Sequence, residues 1–230
     1  MQDILAKLNP SQQAAVKATD GPVMVIAGAG SGKTRVLTFR IAYLMAEKGV
    51  DPFNILALTF TNKAAREMKE RIGSIVGAAE AKNLWMGTFH SVFARILRIE
   101  GDKLGYPSNF TIYDAEDQKK AMTNGIKRLN LDKDIYKTNS VARRISAFKN
   151  GLITPREYFQ SPDLQEQDAA ARMPQLGEVF NAYNEKCFRA GAMDFDDILL
   201  NTYMLLRKFP EVLAKYQNRF RYILVDEYQD

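Results

Sequence analysis

The sequence holds a single cysteine, Cys187, in 230 residues. That excludes an intramolecular disulfide and fits a reducing, cytoplasmic setting. Set among Tyr183, Lys186 and Phe188, the lone thiol reads as a packing residue rather than a reactive one. No apolar run approaches the roughly 20 residues that span a bilayer, and no secretory signal opens the chain, so no membrane partner is expected. Nor is there a large excess of either charge. The net charge of +5 leans toward a polyanion such as nucleic acid, but only slightly, since many basic proteins bind none. Hydrophobic and charged contents of 46% and 26% are those of an ordinary globular chain, long enough to bury a core in one large or two small domains.

What the chain does have is a phosphate-binding pattern. Val23-Met24-Val25-Ile26 reads as a strand, Ala27-Gly28-Ala29-Gly30-Ser31-Gly32 as a glycine-rich turn, and Lys33-Thr34 as the opening of a helix running to about Lys48. Glycines let backbone N–H groups crowd a phosphate, and the helix N-terminus adds its positive dipole end. Lys33 is placed to reach the β- and γ-phosphates, and the Thr34 hydroxyl to ligate Mg²⁺. Ala27 stands where the usual pattern has Gly, a small departure that keeps the backbone accessible. A glycine-rich turn that binds nothing is the alternative, and the strand–loop–helix order argues against it.

Around this loop the chain reads as α/β. Asn9 is a good N-cap with Pro10 at the first helical position, which puts Gln12 and Gln13 in the first turn. A glutamine there is usually solvated, but its amide can also donate to and accept from an adenine edge. Residues 55–60 and 84–88 read as buried strands, and strands alternating with helices predict a parallel sheet with its ligands at the strand C-terminal ends. From about Ser91 to Gly191 strand signals fade and helical caps take over: Asp114 with Asp117, Gly151, and Thr154-Pro155. Arg143-Arg144 and Lys119-Lys120 in this insertion read as solvated faces. Asp194 to Asp197 places acids at a helix start. A last strand, Arg221 to Val225, delivers Asp226-Glu227, and such a pair at a buried strand end costs desolvation unless it meets a cation. Asp226 can hold Mg²⁺ while Glu227 positions or deprotonates a water.

The acids separate the options. A GTPase needs an Asn-Lys-x-Asp guanine reader, and Asn62-Lys63-Ala64-Ala65 lacks the Asp. Small-molecule kinases usually have no adjacent water-activating acid, so an NTPase coupled to mechanical work is the better reading. Phe60-Thr61-Asn62-Lys63 and Thr88-Phe89-His90 each end a strand with donors, an aromatic and a cationic or potentially cationic residue. Such stretches can hold phosphates and stack bases of single-stranded DNA, although either aromatic alone could equally be a core residue.

These blocks, with Leu8 to Gln13, Arg35 after Thr34, Asp194-Phe195-Asp196-Asp197 and Val225 to Asp230, resemble the N-terminal part of superfamily 1 DNA helicases of the UvrD/Rep/PcrA type, over essentially the whole chain. The resemblance implies a RecA-like P-loop domain with helices on both faces of a parallel sheet, at residues 1–90 and 191–230, interrupted by an all-helical subdomain at 91–190 that helps grip duplex DNA. It implies ATP and Mg²⁺ as cofactors, adenine read by Gln12, and phosphates held by the loop from Ala27 to Thr34 with Arg35 beside it. Lys33 is then essential for turnover, Thr34 and Asp226 hold the metal, and Glu227 activates water. Phe60 to Lys63 and Thr88 to His90 line the single-stranded DNA path near a single/double-strand junction, with 3′ to 5′ movement. The family's later motifs are absent, so the chain is expected to be a piece of a longer protein in repair or replication, with a second RecA-like lobe and repair proteins as partners, and little ATPase of its own. A translocase within a recombinational helicase–nuclease complex is the alternative.

Overall fold

The computed structural model describes residues 4–28 and 30–228. Its first helix, α1 (Pro10–Lys17), starts where the sequence dictates. The Asn9 side chain accepts from the Gln12 N–H at 2.9 Å, and the Gln12 side chain accepts from the Asn9 N–H at 3.1 Å, a reciprocal cap. Helix α2 (Lys33–Ala46) follows the glycine-rich loop, and β1 (Ile55–Thr59) is buried at all five positions. Thr61 caps α3 (Asn62–Val76) by accepting from the Ala64 N–H at 3.1 Å. After α4 (Ala78–Lys82) come β2 (Trp85–Thr88) and α5 (Phe89–Glu100).

The middle of the chain is helical apart from one short parallel pairing of β3 (Thr111–Ile112) with β4 (Ala192–Met193). Between them lie α6 (Ala115–Arg128), α7 (Thr138–Asn150), α8 (Pro155–Phe159), α9 (Pro162–Ala170) and α10 (Leu176–Arg189), and α11 (Phe195–Lys208) follows. The expected caps at Asp114 and Thr154 are present, the latter reciprocated by Glu157. The chain closes with α12 (Pro210–Arg219) and β5 (Tyr222–Val225).

Two compact units result, one made of residues 1–92 with 211–230 and the other of 93–210. Residues 191–210, placed by the sequence reading in the returning α/β part, pack instead with the helical unit, where α11 lies against α7. The reason is a buried ion cluster that ties the start of α11 to Lys149 of α7, at 2.7 Å from both Asp194 and Asp197. The core of this unit is built from Met122, Val141, Ile145, Phe148, Phe180 and Tyr183. Cys187 belongs to it as expected, and burial pushes its thiol up to about 11.

In the other unit β1 is the centre of a parallel sheet of order β2-β1-β5. Alternate residues serve opposite faces. Ile55 and Ala57 pack with Ile41 and Leu44 of α2 and with Met68 and Ile72 of α3. Leu56 is in register with Trp85, which meets Tyr216 and Phe220, the first of them on α12, edge-on at the other face. Val23 to Ile26, read as a strand from their composition, pair with no strand among the described residues. A strand forms only where a neighbour takes its N–H and C=O groups, and the order β2-β1-β5 puts none beside them.

Candidate nucleotide-binding site

Parallel pairing decides where the site must be. Thr59 is in register with Thr88, and Leu58 with Val225, so residues 60–63, 88–90 and 226–227 all leave the sheet at one edge. The glycine-rich loop reaches the same edge. Thr34 Oγ1, in the first turn of α2, lies 3.5 Å from Asp226 Oδ2.

The loop is shaped by two left-handed glycines among its described residues, Gly30 at φ 75° and Gly32 at φ 87°, the latter immediately before α2. Only Gly adopts such angles without strain. Ser31 closes the turn, its N–H and hydroxyl donating to the Gly28 carbonyl at 3.3 and 2.7 Å. Lys33 Nζ donates to the Ala27 carbonyl at 3.0 Å, folding the ammonium over the loop. Gln12 Nε2 donates to the Ser31 carbonyl at 3.0 Å and so ties α1 to the loop. Arg35, grouped with the nucleotide ligands from the sequence, donates to the Lys7 carbonyl at 2.7 Å and lies 5.6 Å from the Phe39 ring. Ala29 lies outside the described residues.

At the other side of the site Asp226 is only 8% exposed. Burial pushes its carboxyl above the usual carboxylate range and Glu227 adds to the rise, while the backbone, Thr34 and Lys33 pull against it. Glu227 takes a left-handed φ of 53°, a conformation uncommon outside glycine that turns the chain just after the strand. The Thr34 and Asp226 oxygens make a poor hydrogen bond at their separation, yet they fall within the ~4.2 Å that two ligands of one Mg²⁺ can span. One hydroxyl and one carboxylate, both hard oxygen donors, fit that ion with waters and phosphates supplying the rest.

The two stretches read as DNA contacts emerge side by side at the ends of β1 and β2. Phe60 is 66% exposed, large for an aromatic following a fully buried strand. Lys63 is exposed and 4.0 Å from Glu67. The Thr61 hydroxyl is taken by its capping role. Asn62 opens α3 on the exposed surface. Thr88 is buried, its hydroxyl accepting from the Ser91 N–H at 3.2 Å, while Phe89 and His90 are half-buried at the start of α5.

The model of the UvrD/REP helicase N-terminal domain matches residues 8–230. The chain belongs to this family. It is 47% identical over all 230 residues to an ATP-dependent DNA helicase PcrA of Staphylococcus aureus (strain NCTC 8325 / PS 47), and 49% identical over 228 residues to that of Bacillus subtilis (strain 168). In each case the match covers 30% of the relative, so the chain spans about a third of the length of the curated relatives it matches.

Sequence reading missed the ion cluster in the helical unit. Lys149 Nζ is 2.7 Å from Asp194 Oδ2 and from Asp197 Oδ1, and the Tyr183 hydroxyl donates to Asp194 at 2.7 Å. Burial alone would lower Lys149, but Asp197 and Asp194 hold it above its ordinary value. Burial would likewise raise Asp194, but Lys149 and its hydrogen bonds hold it below. Asp197 is pushed up to about 6, chiefly by burial. The signal was there: Lys149 directly follows Phe148 on the buried stripe of Val141, Ile145 and Phe148.

Proposed function

We propose that this chain is the ATP- and single-stranded-DNA-binding lobe of an ATP-dependent DNA helicase that moves 3′ to 5′ on one strand in repair or replication. The observation that carries the reading is the meeting of Thr34 with Asp226 at the sheet edge from which Phe60 to Lys63 and Thr88 to His90 also emerge. A nucleotide site and a candidate nucleic-acid surface therefore share one three-stranded frame.

The residues divide the work as follows. Backbone N–H groups of the loop at Gly28, Gly30, Ser31 and Gly32 take the phosphates, and the Lys33 ammonium exchanges the Ala27 carbonyl for their β- and γ-oxygens. Gln12 has two N–H donors and two carbonyl lone pairs. Its bonds to Ser31 and Asn9 use one of each, leaving one donor and one acceptor for an adenine edge. Thr34 and Asp226 hold Mg²⁺, which when bound offsets charge building on the phosphates. Glu227 orients the attacking water and takes its proton. Phe60 and Phe89 offer faces on which bases of the strand stack.

The test is Lys33→Ala in the longest natural polypeptide that carries this chain. DNA-stimulated ATP turnover should disappear, and normal stimulated turnover would sink the proposal. The 230-residue chain by itself should bind Mg²⁺–ATP and hydrolyse it slowly at best, so robust turnover by this piece would show that it needs no second lobe.

A further inference from the structure

Helix α1, which carries Gln12, is held to α2 by more than its apolar face. It has only eight residues, fewer than the roughly 12–15 that a helix needs to persist in water on its own. Its place therefore depends on what it packs against. Val16 is fully buried and, with Leu8, packs on Val36 of α2. That contact sets which face of α1 turns inward but, being non-directional, does not fix how far the helix slides or tilts. Polar ties do. Near the N-terminal end of α1, Gln12 Nε2 reaches the Ser31 carbonyl. At the other end, Arg40 Nη1 of α2 donates to the Ala15 carbonyl at 2.6 Å.

The second tie has a specific chemistry. The last carbonyls of a helix have no partner within it. The Ala18 N–H goes to Ala14 and the Thr19 N–H to Lys17, so the backbone passes over the Ala15 oxygen. Arg40 supplies the missing donor, and its positive charge meets the negative end of the helix dipole. The side chain is half-buried, and burial lowers its pKa, so the guanidinium has given up water to reach this helix end. Arg40 follows Lys33 by seven positions, which along α2 is about 10 Å. Its backbone is thus well removed from the phosphate loop, whereas the helix that its side chain grips reaches that loop through Gln12.

We propose that Arg40 is a positioning residue for base recognition: by capping the C-terminal end of α1 it holds Gln12 where the free donor and acceptor of its amide meet the adenine edge. The inference rests on Gln12 reading adenine. A hydrogen bond to a base edge is made only within roughly 2.7–3.2 Å, so a small shift of α1 on α2 costs the base contact. The phosphates are held differently, by backbone groups of a loop shaped by Gly30, Gly32 and the Ser31–Gly28 bonds, all internal to it. Losing Arg40 therefore costs affinity for the base and spares affinity for the phosphates.

Isothermal titration of the longest natural polypeptide that carries this chain, without DNA, separates the two. The probes are the Mg²⁺ complexes of a nonhydrolysable ATP analogue and of inorganic tripolyphosphate, which has no base. Arg40→Met should weaken binding of the analogue about tenfold, as the loss of one or two neutral hydrogen bonds would, and leave tripolyphosphate affinity unchanged. Equal weakening of both probes, or of neither, overturns the proposal. If Arg40→Met does not fold, Arg40→Gln, polar and so easier to accommodate at a half-buried position, decides by the same two measurements. Gln12→Ala is the reference. If it loses preference for the analogue over tripolyphosphate and the folded Arg40 variant does not, the Arg40 assignment alone is overturned. If Gln12→Ala keeps that preference, the adenine assignment fails and this inference with it. The double variant should lose no more than Gln12→Ala, because Arg40 acts only through Gln12, and additive losses would contradict that route.

Discussion

Replacing Lys149 with methionine should destabilise the helical unit by about 3–5 kcal/mol at pH 7, the cost of stranding a buried charge whose partner is gone. Methionine keeps most of the stem's volume, so the loss isolates the ammonium. The ammonium lies 2.7 Å from Asp194 and from Asp197, both only 2–3% exposed. Protonation bounds the penalty from above. A carboxyl with an ordinary value of 3.8 can be neutralised at pH 7 for roughly 4 kcal/mol, and no carboxylate stays charged if that route is cheaper.

The same argument fixes the pH dependence. In the variant the folded state takes up protons that the unfolded state releases, so the deficit shrinks on acidification by about 1.4 kcal/mol per pH unit for each carboxyl protonated. In the native protein the two acids have opposite signs. Asp197, raised to about 6, contributes stability that is present below the ordinary carboxylate range and lost as pH rises through about 6. Asp194, held low by Lys149, contributes at neutral pH and loses that contribution as pH falls through its depressed value. Asp197→Asn should therefore be far milder above pH 7 than Asp194→Asn, which removes the acceptor of Lys149, Tyr183 and Gln118. Hydrogen exchange of the α7 and α11 amides reports on this unit, whereas the fluorescence of Trp85 reports on the other. A Lys149→Met deficit below about 1 kcal/mol, or one that does not change between pH 7 and pH 5, would refute the account of a stranded charge.

Three further outcomes concern the candidate site. Phe60→Ala should weaken single-stranded DNA binding by about 1–3 kcal/mol, or roughly 5- to 150-fold, with little change in thermal stability because the ring is largely exposed; equal affinity in a fluorescence-anisotropy titration would remove Phe60 from the DNA path. Gly32→Ala should cost nucleotide affinity, since its φ of 87° strains any Cβ and the added carbon would meet Gln12 Nε2 at 3.0 Å; isothermal titration with Mg²⁺–ATP checks it, and an unchanged Kd would show that the loop relaxes. Glu227→Gln should leave that affinity within a few-fold while stopping turnover, and retained hydrolysis in a single-turnover assay would assign the water to another group.

How far the sequence reached depends on the range of the forces involved. Asn9, Asp114 and Thr154 each declare a helix start through a side chain that reaches three residues or fewer, and all three cap as read. Continuous apolar runs declared β1, β2 and β5 because a buried parallel strand has no polar face to hide. The failures were non-local. Whether Val23 to Ile26 pair depends on a neighbour, not on their own composition. Whether α11 belongs to one unit or the other depends on an ammonium 45 residues away from Asp194 in the chain. In the site, the loop's glycines and the acidic pair were legible from spacing, but the reach of Arg35 to Lys7 was not. It is a choice among hydrogen-bond partners that only the folded chain offers.

One consequence of the sheet order bears directly on how nucleotide chemistry could reach nucleic acid. β1 is bonded to β5 on one side and β2 on the other. It carries one of the two stretches proposed for DNA at its own end, and it stands between the acidic end that faces the phosphate loop and the other stretch, at the end of β2. The Asp226 N–H is held by the Leu58 carbonyl, only two residues before Phe60. Any movement of Asp226 toward or away from Thr34 therefore pulls on the strand whose next residues carry the exposed aromatic. Thr59, in register with Thr88, passes the same displacement across to the start of α5. Packed strands shift as a body rather than residue by residue, because close-packed interiors transmit strain instead of absorbing it. The short path from carboxylate to aromatic thus runs through one buried strand, with every link a backbone hydrogen bond or a covalent one.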